Sequence, residues 1–530
     1  MSRARVVALT ALLLLSALAV FALPVGRRPL ANQDEARFAL LAREAVESHH
    51  WLLPRVRGVI YLNKPPLYFW TVALLAKPFG VVNEVTAPLA SVLAALAALL
   101  AVIALGRRLW GGSVGLAAAL VLATAPFFYF MSHQVFSDMM MTAWLAWALY
   151  FLLTARLAPA PLPRLVGFYL CVAGALATKG PAALMALVAA LAVVLVDDGW
   201  RCLRWLRLPV GIGILALASL PWLLPYLLQT ERSYVGGVVV GHYGDWYFRQ
   251  KPGSRLESLQ ENLVRFLPWT LFLPAGLWWW WQDRDPRRRP LVVWAVVIAV
   301  AVSLSAEQRA RYFLPVVPPL SLLVAELLAH APLEPSRRGR RVLLASLAGA
   351  ALVSVAAAVV LLQMAPGDGT FVPPPGWPRG VIAALAAAGP VVALGLLAVR
   401  GSGVAATVAL ALAVGGILVV EGWTYPGRYA EQSNIRGFTA AVTERLPPDP
   451  RIVTHLDAGL VYDFYLRRPI QELPRLADLE ARMAAPGPGD VVLMREERWA
   501  TMRAANEAHW QVLLADQVGR ARMVLLGRRP

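Results

Sequence analysis

Long apolar runs, cut at intervals by clusters of arginine, constrain this chain more than any other feature. Of its 530 residues 58% are hydrophobic, and the mean hydropathy is +0.58. Backbone N–H and C=O groups in hydrocarbon must be satisfied within the segment, so runs of this kind cross a bilayer as helices. A crossing takes about 20 residues to span roughly 30 Å. On that basis about thirteen spans are predicted, at 6–24, 86–105, 114–131, 139–157, 165–178, 181–196, 208–228, 264–281, 290–306, 313–330, 342–362, 380–398 and 403–421. Arg3 and Arg5 precede the first run, which no convincing small-residue cleavage site follows, so an uncleaved span is expected there.

The charge pattern orients the spans. The net charge is +18, which in a soluble chain would suggest nucleic acid. Here Arg107, Arg108, Arg156, Arg164, Arg201, Arg204, Arg207, Arg284, Arg287, Arg288, Arg289, Arg337, Arg338, Arg340, Arg341 and Arg400 all fall in loops on the side of the N-terminus. Positive-inside topology accounts for them, so no nucleic-acid partner is expected. With an odd number of spans, the loops 25–85 and 229–263, the stretch 306–312 and the C-terminus share the outer face. Within the first loop, Phe38, Leu41, Ala42 and Ala45 recur at helical spacing and predict an amphipathic helix lying on the membrane surface. Leu67 to Phe79 is apolar but too short to span, and predicts a second interfacial or re-entrant helix. Residues 423–530 change character. Val453–Leu456, Val491–Met494 and Arg522–Leu526 read as strands with helical stretches between them. The expected fold class is thus a polytopic α-helical membrane protein over residues 1–422, with a small α/β domain at 423–530.

Carboxylates and cations at the outer face are the candidates for chemistry. Asp34 and Glu35 open the amphipathic helix. Acids there complement the helix dipole and can cap it, but a carboxylate at this boundary is also placed to take a proton from a nucleophile. Asp138 opens the fourth span on the same face. Arg37, Lys64, Lys179, Arg309 and Arg311 lie on the outer side, against the positive-inside bias. Each alone is explained by lipid phosphate or snorkelling; together they suggest a phosphate-holding site. His242, in an outer loop, is a candidate metal contact, although no metal-ligand spacing occurs in the chain. Cys171 and Cys202 suggest neither a disulfide nor a metal site. No phosphate-binding loop or dinucleotide fingerprint is present, which argues against a nucleotide-driven engine.

An ordered set of short motifs then becomes recognisable. Asp34-Glu35-Ala36-Arg37-Phe38, Tyr61-Leu62-Asn63-Lys64-Pro65-Pro66-Leu67, Thr178-Lys179-Gly180-Pro181, Phe266-Leu267-Pro268-Trp269-Thr270 and Arg311-Tyr312-Phe313-Leu314-Pro315 cover about 300 residues. The chain resembles the polytopic GT-C glycosyltransferases that use polyprenyl-phosphate sugars, in the group of lipid A aminoarabinose transferases and protein mannosyltransferase-like enzymes. The resemblance implies a membrane enzyme of the bacterial inner membrane with its active site on the periplasmic face. It implies an undecaprenyl-phosphate-linked sugar donor, inversion at the anomeric carbon, and a glycolipid, polymer or protein acceptor. It makes Asp34 the catalytic carboxylate, with Asp138 as the acidic position of the second outer loop. It puts Arg37, Lys64, Lys179 and Arg311 towards the donor phosphate, with Tyr61 and Tyr312 alongside. Aminoarabinose transferases carry Glu before the lysine of the Lys-Pro pair, a position associated with metal. Here it is Asn63, whose amide lacks the charge that favours a dication, so a divalent metal is left open as a cofactor. Two other classes stay beside this one. A transporter would place charges at mid-membrane and show paired interrupted helices, and a non-catalytic assembly factor would not need its polar residues to converge.

Overall fold

A computed structural model describes residues 2–30, 32–157, 161–229, 234–244, 255–282, 285–305, 309–333, 338–363 and 377–529. The chain divides into two compact units.

The first unit comprises Met1–Leu23, Leu62–Tyr68 and Pro88–Thr424 and is helical. Among the described residues nine helices are long and apolar enough to cross a membrane, or ten if the pair Gly112–Ala123 and Pro126–Ser132, bent by 72°, is one span. The difference from the expected thirteen lies in how the runs are joined and cut. The runs at 165–178 and 181–196 form one stretch, Leu162–Asp197, interrupted by a 3-10 turn at Gly180–Leu184 where Pro181 interrupts the regular pattern. The runs at 264–281 and 290–306 hold the helices Leu273–Gln282 and Arg289–Ser303, of 10 and 15 residues. At 1.5 Å per residue the longer reaches about 22 Å, short of the hydrocarbon thickness. Small residues set the closest packing. A Cβ on Gly106 would lie 2.7 Å from Gly115 Cα, and one on Gly115 would lie 2.6 Å from the Ile103 carbonyl oxygen. The helices Leu89–Trp110 and Gly112–Ala123 therefore meet backbone to backbone, as small residues allow in membranes.

The second unit joins Pro24–Tyr61 and Phe69–Ala87 to Tyr425–Pro530. Its first part carries a two-residue-turn hairpin, β1 (Arg55–Val56) and β2 (Val59–Ile60). Its second part is a five-stranded sheet of β3 (Arg451–Thr454), β4 (Gln471–Glu472), β5 (Asp490–Arg495), β6 (Trp510–Val518) and β7 (Ala521–Arg528) in the order β4-β3-β5-β7-β6. β3 runs parallel to β4 and β5, whereas β7 is antiparallel to β5 and β6, with Leu493 opposite Leu525. The inward residues Val453, Val492, Met494, Val524 and Leu526 pack with Trp510 of β6 and with Leu479 and Met483 of the helix Leu476–Ala484. Trp510 Nε1 donates to the Met483 carbonyl at 2.8 Å, which satisfies the buried indole N–H.

The amphipathic helix forms as predicted, over Gln33–Glu47, but lipid is not what covers its apolar side. Phe38, Leu41, Ala42 and Ala45 are buried in protein, and the helix packs on the helix Leu460–Leu466 of the same unit. Arg43 adds a polar tie, with Nη1 donating to the Phe464 carbonyl at 3.0 Å.

Candidate active site

In the first unit, three helix ends bring four predicted residues together. Phe136 is extended, and Asp138 follows in the first turn of the helix Ser137–Arg156. Lys179 ends the helix Leu162–Lys179, and Arg311 and Tyr312 sit in the 3-10 helix Ala310–Val316. A carboxylate at a helix start and a cation at a helix end each complement the local dipole. Lys179 Nζ donates to Asp138 Oδ1. Arg311 Nε lies 3.6 Å from Asp138 Oδ2. Both cations also lie over aromatic rings. Lys179 Nζ is 4.3 Å from the Tyr312 ring centre, and the Arg311 guanidinium is 4.5 Å from that of Phe136. Asp138 and Lys179 are buried. Arg309 precedes the 3-10 helix, is exposed, and adds like charge at Lys179.

Asp138 thus holds two cations by its two oxygens. A carboxylate so engaged orients cations rather than accepting a proton, because neutralising it would leave both cations without their counter-ion. The arrangement suits an anion with several oxygens, to which Lys offers a point charge and Arg a fork. Lys64 belongs to the same unit. It is half-buried, and its carbonyl accepts from Tyr226 Oη at 3.4 Å.

In the second unit, Asp34 sits in the first turn of the helix Gln33–Glu47. The Asn32 side chain caps that turn by accepting from Asp34 N at 2.8 Å. Arg37, one turn on, donates to Asp34 Oδ1, and its guanidinium lies 5.7 Å from the Tyr61 ring centre. The Asp34 side chain retains 19% exposure, so a nucleophile can reach it. Glu35 differs. It is fully buried, and both of its oxygens accept from Arg28, one at 3.0 Å from Nη1. Burial works against the Arg28 charge, but the adjoining Glu35 carboxylate prevails and holds the guanidinium pKa above its ordinary value. Glu35, expected beside Asp34 as a catalytic carboxylate, is engaged as the counter-ion of a buried arginine.

His242 lies in the helical segment Tyr234–Gly244, and its side chain is outside the described residues. Among the described residues, no group of three or more His, Cys, Asp or Glu could hold a metal ion. Sequence reasoning missed Arg28 and Phe136. Arg28 follows the first apolar run like any flanking cation, and only its burial marks it.

Comparison with known proteins bears on this geometry. Residues 63–224 match the family profile described as dolichyl-phosphate-mannose-protein mannosyltransferase. The chain is 30% identical over 377 residues to the undecaprenyl phosphate-alpha-4-amino-4-deoxy-L-arabinose arabinosyl transferase of Pseudomonas aeruginosa, covering 66% of this chain and 64% of that protein. It is 27% identical over 365 residues to the Erwinia tasmaniensis protein of the same name, covering 65% and 63%. The chain thus spans just under two thirds of the length of these relatives. In fold it matches ArnT from Cupriavidus metallidurans bound to undecaprenyl phosphate, with a TM-score of 0.78, 22% identity, and coverage of 99% of this chain and 98% of that one. A more distant match is the Archaeoglobus fulgidus oligosaccharyltransferase, with a TM-score of 0.52 and 12% identity over 94% of this chain and 70% of that one. The chain therefore has the GT-C fold of the polyprenyl-phosphate-sugar glycosyltransferases and is similar in sequence to the bacterial aminoarabinose transferases.

Proposed function

We propose that this protein is an integral membrane glycosyltransferase. It moves a sugar from undecaprenyl phosphate to a lipid A-like glycolipid or another acceptor facing the periplasm, with inversion at the anomeric carbon. The observation that carries the reading is the buried pairing of Lys179 and Arg311 on Asp138, a preoriented cation set of the kind a departing phosphate needs. The likeness to the aminoarabinose transferases supplies the donor class.

In this reading the acceptor oxygen attacks the anomeric carbon as the bond from that carbon to the phosphate oxygen breaks. The electron pair passes to the phosphate, and polyprenyl phosphate leaves. Lys179 and Arg311, aided by Lys64 and Arg309, stabilise the charge growing on that phosphate, usually the largest electrostatic contribution in such a step. Asp34 accepts the proton of a hydroxyl acceptor, and Arg37 and Tyr61 fix its rotamer. The protein lies in the bacterial inner membrane with this chemistry at the periplasmic face. The domain boundary falls near residue 422, and the α/β domain contributes to acceptor choice. His242 is the residue to examine if a divalent metal takes part.

The match of residues 63–224 to the protein mannosyltransferase profile favours a protein hydroxyl as the second acceptor class. Both are tested with the purified full-length chain and radiolabelled aminopentose, pentose and hexose polyprenyl phosphates, offered against a membrane lipid extract and a periplasmic protein extract. Label reaching lipid, and lost in Asp34→Asn, supports the glycolipid reading. Label reaching protein supports the second. No transfer from any donor by a folded protein, or full activity in Asp34→Asn, would remove the proposal or the base.

A further inference from the structure

The second unit contains a polar cleft of about 330 Å³, formed by the C-terminal half of the helix Gln33–Glu47, the β1–β2 hairpin and the turn after the helix Leu460–Leu466. Five arginines line it: Arg43, Arg55, Arg57, Arg467 and Arg468. Its carboxylates are already engaged. Asp463 accepts from Arg57 and from Ile470 N, Glu47 accepts from Arg467 at 2.9 Å, and Glu44 lies 2.8 Å from His50 Nδ1. Arg43 and Arg468 form no ion pair among the described residues. Arg468 is exposed. Arg43 spends its Nη atoms on the Phe464 and Val82 carbonyls, at 3.0 and 3.3 Å, while its buried Nε has no hydrogen-bond partner among the described residues. Burial lowers the Arg43 pKa from its ordinary value, with the Arg467 charge acting in the same direction and the Glu47 and Glu84 charges against it. Arg43 is half-buried with Glu47 and Glu84 as its compensating charges, and an anion in the cleft would add to them.

We propose that this cleft binds a phosphate group on the saccharide headgroup of the acceptor. The inference rests on the glycolipid reading above. Several guanidinium forks facing one polar cavity match a tetrahedral anion better than they match a neutral sugar. The volume lies at the lower end for small-molecule sites, about 300–1,000 Å³, and suits one phosphorylated ring. Arg43 and Asp34 stand on the same helix, nine residues or about 14 Å apart along its axis but half a turn apart around it, so a phosphate held at Arg43 lies away from the carboxylate of Asp34.

The test uses the full chain with Arg55→Glu/Arg468→Glu, and with Arg468→Ala as the milder variant, on bisphosphorylated lipid A and on the same lipid after phosphatase treatment. The KM for the phosphorylated acceptor should rise about tenfold in the double variant and less in Arg468→Ala. The KM for the donor, the kcat and the KM for the dephosphorylated lipid should not move. An unchanged acceptor KM in both variants, or an equal rise for both lipids, overturns the proposal. If the wild type transfers to neither lipid, the glycolipid reading fails on its own. Calorimetric titration with inorganic pyrophosphate then decides the cleft. Binding weakened in the variants supports an anion site, and equal binding in wild type and variants removes it.

Discussion

Arg57 grips Asp463 with two nitrogens although 406 residues separate them. Nε lies 3.1 Å from both carboxylate oxygens, and Nη2 lies 2.7 Å from Oδ2. The same guanidinium donates to the Ala458 carbonyl at 2.9 Å and to Glu472. Arg57 takes a φ of 53° beside Gly58 at 77°, the left-handed pair that a two-residue β-hairpin turn requires. For a residue with a side chain this conformation costs roughly 1–2 kcal/mol, which the four acceptor contacts offset. The turn of the hairpin is thereby anchored to the α/β domain, in the loop that leads on to Tyr61.

Arg57→Ala would leave Asp463 buried without its cation, and breaking such a pair costs about 3–5 kcal/mol. The melting temperature of the purified protein should fall, and proteolysis should cut near residues 54–61 first. Arg57→Lys, which keeps the charge but not the fork, should recover only part of the loss. A melting temperature unmoved by Arg57→Ala would show that the anchor carries no stability.

Lys179→Met should lower kcat about 100-fold or more, the usual effect of deleting a donor that faces developing charge. Asp138→Asn should act differently. It retains an oxygen that can accept one hydrogen bond but loses the charge that orients both Lys179 and Arg311, so the KM for the donor should rise along with a fall in kcat. Steady-state transfer at varied donor concentration separates the two. An Asp138→Asn enzyme with wild-type donor KM would argue that the carboxylate does not organise the cations.

Tyr465 gives the second unit a pH dependence. Its hydroxyl donates to Glu84 Oε1 at 2.9 Å and accepts from Leu30 N at 2.8 Å. Burial, helped by the charge of Glu84, raises its pKa above the ordinary tyrosine value. A folded pKa raised in this way means that the stabilisation is complete below about pH 10, the unfolded value, and declines as pH climbs beyond it. Denaturant unfolding between pH 8 and pH 11 should therefore show a falling midpoint in the wild type. Tyr465→Phe should start about 1–3 kcal/mol lower, with Leu30 N unsatisfied, and fall less steeply. Tyr462, also raised by burial, adds to the slope. Identical slopes in wild type and variant would assign the alkaline loss elsewhere.

The helical membrane architecture and the strands at 453, 491 and 522 were legible because hydropathy and short apolar runs report burial directly. The meeting of Asp138, Lys179 and Arg311 was foreseeable only as a shared face, since charges on helix ends carry no record of which helices adjoin. β6 escaped because Trp510–Val518 alternates poorly, with a register shift between Val512 and Leu514 that breaks the period. The same limit hid the partner of the amphipathic helix. Periodicity states that Phe38 and Leu41 share a buried face, and it is silent on whether lipid or the helix Leu460–Leu466 covers them. The engagement of Glu35 by Arg28 escaped for a related reason, because a buried counter-ion leaves no local signature.

That pairing yields the sharpest separation of structure from chemistry. Glu35→Gln would strand the Arg28 charge, whose side chain is 7% exposed, and should destabilise the protein by about 3 kcal/mol or more. Replacing both partners with apolar residues of similar volume, Arg28→Met with Glu35→Leu, removes the uncompensated charge as well as the pair, and such replacements are often neutral or stabilising. The double variant should recover its melting temperature and, if Glu35 has no part in the reaction, its transfer rate as well. Recovery of stability without recovery of rate would return Glu35 to the reaction beside Asp34. Recovery of both leaves Asp34 as the carboxylate of that helix turn on which proton transfer depends.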